Sequence, residues 1–308
     1  MKKVYLDNAA TTQINPKVVD EMTAVLANSY GNPSSTHFFG RDSKTIIELS
    51  RKFIANTFNA KPKEIFFTSG GTESNNMIIK SCVRHGVERI ITTKIEHKAV
   101  LNPILSLRNN LKVELEFLSI DCEGNPDLNE LKSLLSKPKK TLVSLMHINN
   151  EIGTMIDLKS IGSICHSHNA MFHSDTVQTI GHFPLDLSLI NIDFITCSAH
   201  KFHGPKGVGF TYINEKNKAF PLIEGGEQER GLRGGTESTH NIHGLKIALE
   251  EAYKNLPDDQ KKVKSLKELF LEKIHKSIKN VEINGNFNKS SYTILNLRFP
   301  IPNNKKDL

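Results

Sequence analysis

One segment of this chain has the sequence of a strand that ends in an anion-binding turn. The apolar residues 65–67 are followed by the run TSGGTESNN at 68–76. Glycines allow a ligand to approach the backbone closely, and the first turn of a following helix offers free N–H groups to an anion. Gly71 and Thr72 are therefore candidates for binding a phosphate. The alternative is a plain strand–turn–helix that Thr72 caps, and the run lacks the G-x-G-x-x-G and G-x-x-x-x-G-K-[ST] patterns of nucleotide sites.

Two further segments place a carboxylate and an amine after strand-like runs. Asp175 lies in HSDTVQ at 173–178, and Lys201 ends SAHK at 198–201. A lysine amine that is partly removed from water can act as a nucleophile. The simpler interpretations are a helix-capping aspartate and a solvated loop lysine. Together, a phosphate turn, an acid and an amine are the parts that a protein needs to bind pyridoxal phosphate (PLP) and use it as an electron sink.

The runs that carry these residues belong to a series of predicted strands. Amphipathic stretches lie between most of them, such as the one with leucines at 128, 131, 134 and 135. Strands that alternate with helices predict a mostly parallel sheet between helices, with functional residues at the carboxyl ends of its strands. The predicted strands are 64–68, 89–92, 113–118, 141–146, 170–173, 193–196 and 208–212.

The flanks of this series predict additional helices and a second, smaller α/β domain. Helices are predicted at 16–28 and 41–58, and again at 242–256. Pro257-Asp258-Asp259 then reads as a linker and N-cap before another helix at 263–278. Strands near 281–284 and 292–299 complete the pattern.

We therefore predict three parts along the chain. Residues 1–15 form an N-terminal segment associated with the small domain, 16–256 form the large PLP-binding domain, and 257–308 begin the small domain. Asn303 reads as the cap of a helix whose continuation is not in the sequence. We expect the small domain to be truncated there.

Composition excludes several classes of protein. The 308 residues carry 40 Lys+Arg and 33 Asp+Glu, a formal net charge of +7, and the basic groups are short and dispersed rather than arranged as a nucleic-acid stripe. No apolar run approaches the roughly 20 residues that cross a bilayer, and the N-terminal apolar run is too short for a signal peptide. The four cysteines form no C-x-x-C pair. We expect a cytoplasmic protein that binds neither nucleic acid nor membrane.

Seven motifs, in order along the chain, resemble those of one known family. The resemblance covers residues 4 to about 299 and is to the NifS/IscS-type cysteine desulfurases, which are class V, fold type I PLP enzymes. It implies the aspartate aminotransferase-like fold, PLP as cofactor, L-cysteine as substrate, a homodimer and a sulfur-acceptor protein such as an iron–sulfur scaffold. The motifs are LDNAATT at 6–12, GNPSS at 31–35, TSGGTESNN at 68–76, KIEHKAV at 94–100, MHINNEIG at 146–153, HSDTVQ at 173–178 and SAHK at 198–201.

The resemblance implies a role for each matching residue on the ring side of the cofactor. Lys201 would form the covalent imine with PLP and later move the proton at the substrate α-carbon. Asp175 would pair with the pyridine nitrogen, and Gln178 would hydrogen-bond the ring oxygen. His97 would stack on the ring and shuttle protons, and Asn150 would orient the cofactor and the substrate carboxylate. The alternatives are a helix-capping role for His97 and a turn role for Asn150.

The remaining implied residues bind the cofactor phosphate. Gly71, Thr72, Ser198 and His200 would hold it within one subunit, and Thr236 would reach the phosphate of the neighbouring subunit. A rival interpretation of the histidines is metal binding, by the CHSH run at 165–168 or by His200 with His203. The CHSH run lies at the end of a predicted helix, where histidine interacts favourably with the dipole, and we predict no metal site.

The sequence departs from the family in its cysteines. The family uses a nucleophilic cysteine on a mobile loop late in the chain, which takes sulfur from the substrate and becomes a persulfide. Cys82 and Cys165 fall in predicted helices, Cys122 in a turn, and Cys197 just before the lysine turn. The expected substrate-carboxylate arginine is also missing, and Glu227 stands where relatives often carry histidine or glycine.

Three functions stay open from the sequence. The first is a PLP-dependent cysteine desulfurase that converts L-cysteine to L-alanine and passes the sulfur to iron–sulfur cluster assembly or thiolation, impaired in this 308-residue form. The second is a non-catalytic dimerising protein that binds PLP. The third is a related PLP lyase or transaminase that needs no loop cysteine.

Overall fold

The structure is a computed structural model that describes residues 3–111 and 113–300. No helix in these two ranges combines the length and the apolar character needed to cross a membrane. The helices are α1 (Pro16–Asn28), α2 (Phe38–Thr57), α3 (Gly71–Arg84), α4 (Lys98–Leu111), α5 (Leu128–Leu135), α6 (Leu158–Ser167) and α7 (Thr239–Ser277). The strands are β1 (Ile65–Thr68), β2 (Arg89–Thr92), β3 (Glu114–Phe117), β4 (Thr141–Ser144), β5 (Met171–Asp175), β6 (Phe194–Ser198), β7 (Gly209–Ile213), β8 (Glu282–Ile283) and β9 (Leu297–Arg298).

Strands β1 to β7 form one sheet in the order β1-β7-β6-β5-β4-β2-β3. The pairs β2–β3, β2–β4, β4–β5 and β5–β6 are parallel, and β7 is antiparallel to β1 and β6. Because β5 and β6 run in the same direction, Asp175 and Ser198 at their carboxyl ends reach one edge of the sheet. The prediction of a mostly parallel seven-stranded sheet is confirmed.

Helices cover both faces of this sheet. Val143 and Ile195 pack in a buried apolar cluster with residues of α1, α2, α5, α6 and α7. Their neighbours Leu142 and Phe194 pack in a second cluster with α3 and α4. Successive strand residues point to opposite faces, so near-continuous apolar runs are required to bury both. The sequence pattern therefore predicts the three-layer α/β/α arrangement.

Helix α7 contradicts the predicted linker at Pro257-Asp258-Asp259. The helix runs without interruption from Thr239 to Ser277 and contains Pro257. A proline inside a helix removes one backbone hydrogen bond and costs about 3 kcal/mol, which is why the sequence indicated a boundary there. Contacts on both sides oppose that cost, because Leu256 and Leu271 are buried and Gln260 donates a 3.0 Å hydrogen bond to the carbonyl of His182.

The residues after α7 form a short antiparallel pair, β8–β9, and contact the loop that follows β4. Ser291 donates its N–H to the carbonyl of Gly153 over 2.8 Å. The predicted domain boundary at 256/257 falls inside α7, and the division into domains stays a prediction. The helix predicted to begin at Asn303 lies outside the described residues.

Candidate active site

Side chains from distant parts of the sequence meet in a cavity of about 730 Å³ at the carboxyl ends of the strands. N-terminal residues between Leu6 and Ala10 and the segment 293–297 form further walls. Every predicted site residue except Thr236 lines this cavity: Gly71, Thr72, His97, Asn150, Asp175, Gln178, Ser198, His200 and Lys201.

The phosphate turn opens helix α3. Gly70 is its N-cap with a φ of 145°, which residues with a side chain rarely adopt, and no side chain caps the first-turn N–H groups. A Cβ on Gly71 would lie 2.7 Å from Cγ2 of Val177, so only glycine fits there. The uncapped N–H groups and the helix dipole suit an anion. Thr72 lies within the helix rather than at its N-cap, so the interpretation of Thr72 as a cap is wrong.

Asp175 ends strand β5 and is buried. Its Oδ2 accepts a 2.7 Å hydrogen bond from Nδ2 of Asn75, and its Oδ1 accepts one of 3.0 Å from the backbone N–H of Val177. Each carboxylate oxygen keeps further acceptor capacity. A buried carboxylate held in this way can pair with a cation in the cavity, such as a protonated pyridine nitrogen.

Lys201 lies in a 3₁₀ turn, Ala199–Lys201, directly after β6. Its Nζ donates hydrogen bonds to the backbone carbonyls of Ala9 and Ala10, the second over 2.9 Å. Partial burial lowers the pKa of the Lys201 ammonium, although the charges of Asp175 and Asp7 oppose the shift. A lowered pKa increases the fraction of free amine, which is the nucleophilic form.

His97 stands immediately before α4, with its side chain at the cavity wall. Its Nδ1 accepts a 3.0 Å hydrogen bond from the N–H of Ala99, so His97 also caps the helix. Asn150 donates a 2.7 Å hydrogen bond to Oε1 of Glu151 in its turn. Both structural interpretations from the sequence are thus present, together with positions at the cavity that a cofactor role requires.

The other predicted side chains complete the wall around Lys201. Gln178 donates a 2.9 Å hydrogen bond from Nε2 to the carbonyl of Ala9. His200 pairs with the hydroxyl of Thr11 over 3.1 Å, and burial together with nearby lysines lowers the pKa of His200 to about 4. A Cβ placed on Gly70 would lie 3.3 Å from Oγ of Ser198, so this hydroxyl borders the phosphate turn.

Thr236 is the predicted residue that the structure does not bring to this cavity. It is exposed and lines a separate cavity of about 70 Å³ on the loop between β7 and α7. This loop is joined to the phosphate helix, because Nε of Arg233 lies 3.1 Å from Oε1 of Glu73.

None of the four cysteines lines the main cavity in the described part of the chain. Cys82, Cys165 and Cys197 are buried, and burial raises the pKa of each thiol; Cys122 is exposed. A buried thiol with a raised pKa is a poor nucleophile. Residues 3–111 and 113–300 also contain no group of three His, Cys, Asp or Glu residues that could hold a metal ion.

The donor set fits PLP. The wall offers a glycine turn with uncapped N–H groups, a buried carboxylate and an amine, which match the phosphate, ring nitrogen and aldehyde of the cofactor. Among the described residues, Oδ1 of Asn75 is buried beside this wall without a hydrogen-bond partner.

Sequence reasoning missed Asn75 and the carbonyls of Ala9 and Ala10 as contributors to the site. Asn75 follows Gly71 by four residues, and this spacing places both on one face of a helix. That signal was available from the sequence. The contacts of the N-terminal carbonyls depend on tertiary packing.

Known proteins share this sequence and fold. Residues 4–307 match the family described as aminotransferase class-V. The chain is 43% identical to the cysteine desulfurase IscS of Dictyoglomus turgidum over 287 residues, which are 92% of this chain and 72% of that protein. A solved NifS-like protein superposes with a TM-score of 0.91 at 37% identity, over 94% of this chain and 80% of that one. The solved structure of SspA in complex with cysteine superposes with a TM-score of 0.77 at 35% identity, over 80% of this chain and 72% of that one.

These matches extend over nearly all of the described fold and over the motifs that line the cavity. The relatives named cysteine desulfurases belong to a PLP-dependent group of class V aminotransferases, and the cavity has the donors that this cofactor needs. The chain therefore belongs to the class V aminotransferase family and, within it, to the PLP-dependent cysteine desulfurases.

Proposed function

We propose that the cavity of about 730 Å³ is the PLP site of this cysteine desulfurase and that Lys201 is its covalent attachment point. The observation that carries the proposal is the meeting of Lys201, Asp175 and the uncapped start of α3 in one cavity. When bound, PLP supplies an electron sink for charge that develops on the substrate.

The surrounding residues hold the cofactor and handle protons. Gly71, Thr72, Ser198 and His200 bind the phosphate, and Asp175 keeps the ring nitrogen protonated. Gln178 donates to the ring oxygen, and Asn150 orients the cofactor and the substrate carboxylate.

Two residues handle protons. His97 covers the face of the cofactor ring, and the His97 imidazole exchanges protons with the substrate. Lys201, once free, moves the proton at the substrate α-carbon.

L-cysteine is the proposed substrate, supported by the desulfurase relatives and by the neighbour solved in complex with cysteine. None of the cysteines in the described part of the chain lines this cavity, so we propose that the thiol that takes the sulfur is none of these four. The purified chain alone should then release little alanine from L-cysteine. Rapid alanine release without an added thiol protein would contradict this assignment. PLP binding with no alanine release even when a thiol acceptor is added would support the alternative of a non-catalytic binding protein.

The wider setting follows from the same family. We propose a cytoplasmic homodimer in which Thr236 serves the neighbouring subunit, and a sulfur-acceptor protein such as an iron–sulfur scaffold. The division into residues 1–15, 16–256 and 257–308 completes the proposal, with the first part associated with the small domain that the third part begins.

The attachment point is tested by Lys201→Ala, with Lys206→Ala as control because Lys206 is exposed in the same segment. PLP added to the parent protein should give an absorbance band near the short-wavelength limit of the visible range, and borohydride should abolish this band. The Lys201→Ala protein should lack this band, and Lys206→Ala should retain it. A borohydride-sensitive band of parental size in Lys201→Ala would show that another amine carries the cofactor.

A further inference from the structure

Asn75 makes a polar contact in the cavity wall that none of the roles given above uses. It lies on α3, one turn after Gly71, and is 1% exposed. Its Nδ2 donates a 2.7 Å hydrogen bond to Oδ2 of Asp175, the carboxylate proposed to pair with the ring nitrogen. Asn75 therefore links the helix that starts at the phosphate turn to the residue proposed for the opposite end of the cofactor.

The surroundings of Asp175 leave few other groups to fix its carboxylate. The backbone N–H of Val177 contacts Oδ1, and Asn75 supplies the side-chain donor to Oδ2. Among the described residues, Oδ1 of Asn75 has no hydrogen-bond partner although it is buried. The amide is thus held through its donor side, which is the side that stabilises an ionised carboxylate.

We infer that Asn75 is a positioning residue that orients the Asp175 carboxylate toward the pyridine nitrogen. The inference rests on the proposed function, because it requires PLP to bind with its ring nitrogen at Asp175. Because Asn75 lies on α3, its hydrogen bond fixes the distance between the phosphate turn and the Asp175 carboxylate. One helix therefore positions the groups that bind both ends of the cofactor.

The direct test compares PLP with its 1-deaza analogue, in which carbon replaces the ring nitrogen. Binding of each to the PLP-free protein is titrated by absorbance and fluorescence in the parent and in Asn75→Ala. We expect PLP affinity to fall about tenfold in Asn75→Ala, in the range of one charge-assisted hydrogen bond, while the affinity for the deaza analogue changes less than twofold. Equal losses for both ligands would overturn the inference, because a purely structural defect does not distinguish them.

Asn76→Ala is the matched control. Asn76 is the next residue on α3, is less buried, and donates from Nδ2 to the carbonyl of Thr72 within its own helix. It should leave the preference for PLP over the deaza analogue unchanged. Thermal unfolding of each PLP-free variant establishes that the protein titrated is folded, and Asn75→Ser provides a smaller polar replacement if Asn75→Ala does not fold.

Asp175→Asn separates this inference from the proposed site. If Asp175→Asn fails to weaken PLP binding, the placement of the ring nitrogen is wrong and the proposed function fails with it. If Asp175→Asn weakens binding but Asn75→Ala does not, only the role of Asn75 is overturned. If both act through one contact, the double variant should bind PLP about as weakly as Asp175→Asn alone, whereas additive losses would contradict the coupling.

Discussion

Glu96 carries a carboxyl group that is buried directly before His97. Both of its oxygens lie near the backbone N–H of Met146, at 2.9 and 3.1 Å, and Thr93 lies 3.3 Å from Oε1. Burial raises the pKa of Glu96 to about 8, and the charge of Asp175 acts in the same direction, while the Met146 N–H opposes it. These contacts tie the loop that carries His97 to the end of β4.

The raised pKa predicts a stability that falls with pH. Below about pH 4.5, Glu96 is protonated in both the folded and the unfolded protein. Between about pH 4.5 and pH 8, Glu96 loses its proton only in the unfolded protein, so the free energy of unfolding falls as the pH rises. Glu96→Gln should remove this slope and keep an acceptor for Met146. Urea unfolding of the PLP-free protein from pH 5 to 9 measures this pH dependence of stability. Glu88→Gln is the control, because Glu88 is exposed. An identical pH slope in the parent and in Glu96→Gln would show that Glu96 titrates normally.

The residues at strand ends were predictable, and their mutual contacts were not. Asp175 and Lys201 follow apolar runs, and parallel strands end at one edge, so the sequence alone indicated a shared site. The helix period could place Asn75 on the same face as Gly71, but it could not show the contact with Asp175, which is 100 residues away. The carbonyls of Ala9 and Ala10 were hidden for a different reason: every residue has a carbonyl, so a sequence gives no signal for the few that meet Lys201.

At the level of elements, the spacing of apolar residues predicted helices and strands well where tertiary packing favours the same structure as the local sequence. Helix α1 begins and ends at the predicted residues 16 and 28. Helix α7 was divided in error at Pro257, because a local backbone rule was outweighed by burial of Leu256 and Leu271 on either side. A single sequence shows the proline but not the surfaces that the helix will cover.

The loop between β7 and α7 is held by a buried ion pair. Glu229 and Arg230 have φ values of 47° and 58°, in the left-handed region that side chains disfavour. The Glu229 carboxylate accepts two 2.8 Å hydrogen bonds from Arg51 on α2 and one from the N–H of Phe67. These three bonds anchor the strained turn to β1 and α2.

We expect Glu229→Gln to destabilise the protein by about 3–5 kcal/mol, because the buried Arg51 charge then keeps only the half-exposed Glu48 as a carboxylate partner. Arg51→Met should have a comparable effect, and the double variant should lose less than the sum of the two. Urea unfolding measures all three. The exposed pair Lys276–Glu272 supplies the control, since Glu272→Gln should change stability by less than about 1 kcal/mol. Equal small losses for both glutamates would show that the buried pair does not anchor the loop.

Over the whole molecule, the position of Thr236 raises the question of which subunit it serves. Its cavity is separate from the one that contains Lys201, and its side chain is exposed. A residue that binds the cofactor from this position must act on a neighbouring chain. Thr236→Ala should therefore weaken PLP binding without altering any contact around Lys201 in its own subunit.

A mixed dimer distinguishes the two arrangements. One chain carries Lys201→Ala and the other Thr236→Ala, with different affinity tags so that the hybrid can be isolated. If Thr236 acts across the interface, one site of the hybrid combines an intact Lys201 with an intact Thr236 from the partner chain. That site should bind PLP with parental affinity and give half of the parental borohydride-sensitive absorbance, whereas the Thr236→Ala homodimer should show only weak sites. A hybrid whose single reactive site binds PLP as weakly as the Thr236→Ala homodimer would show that Thr236 serves its own subunit, and failure of the two chains to associate would contradict the homodimer itself.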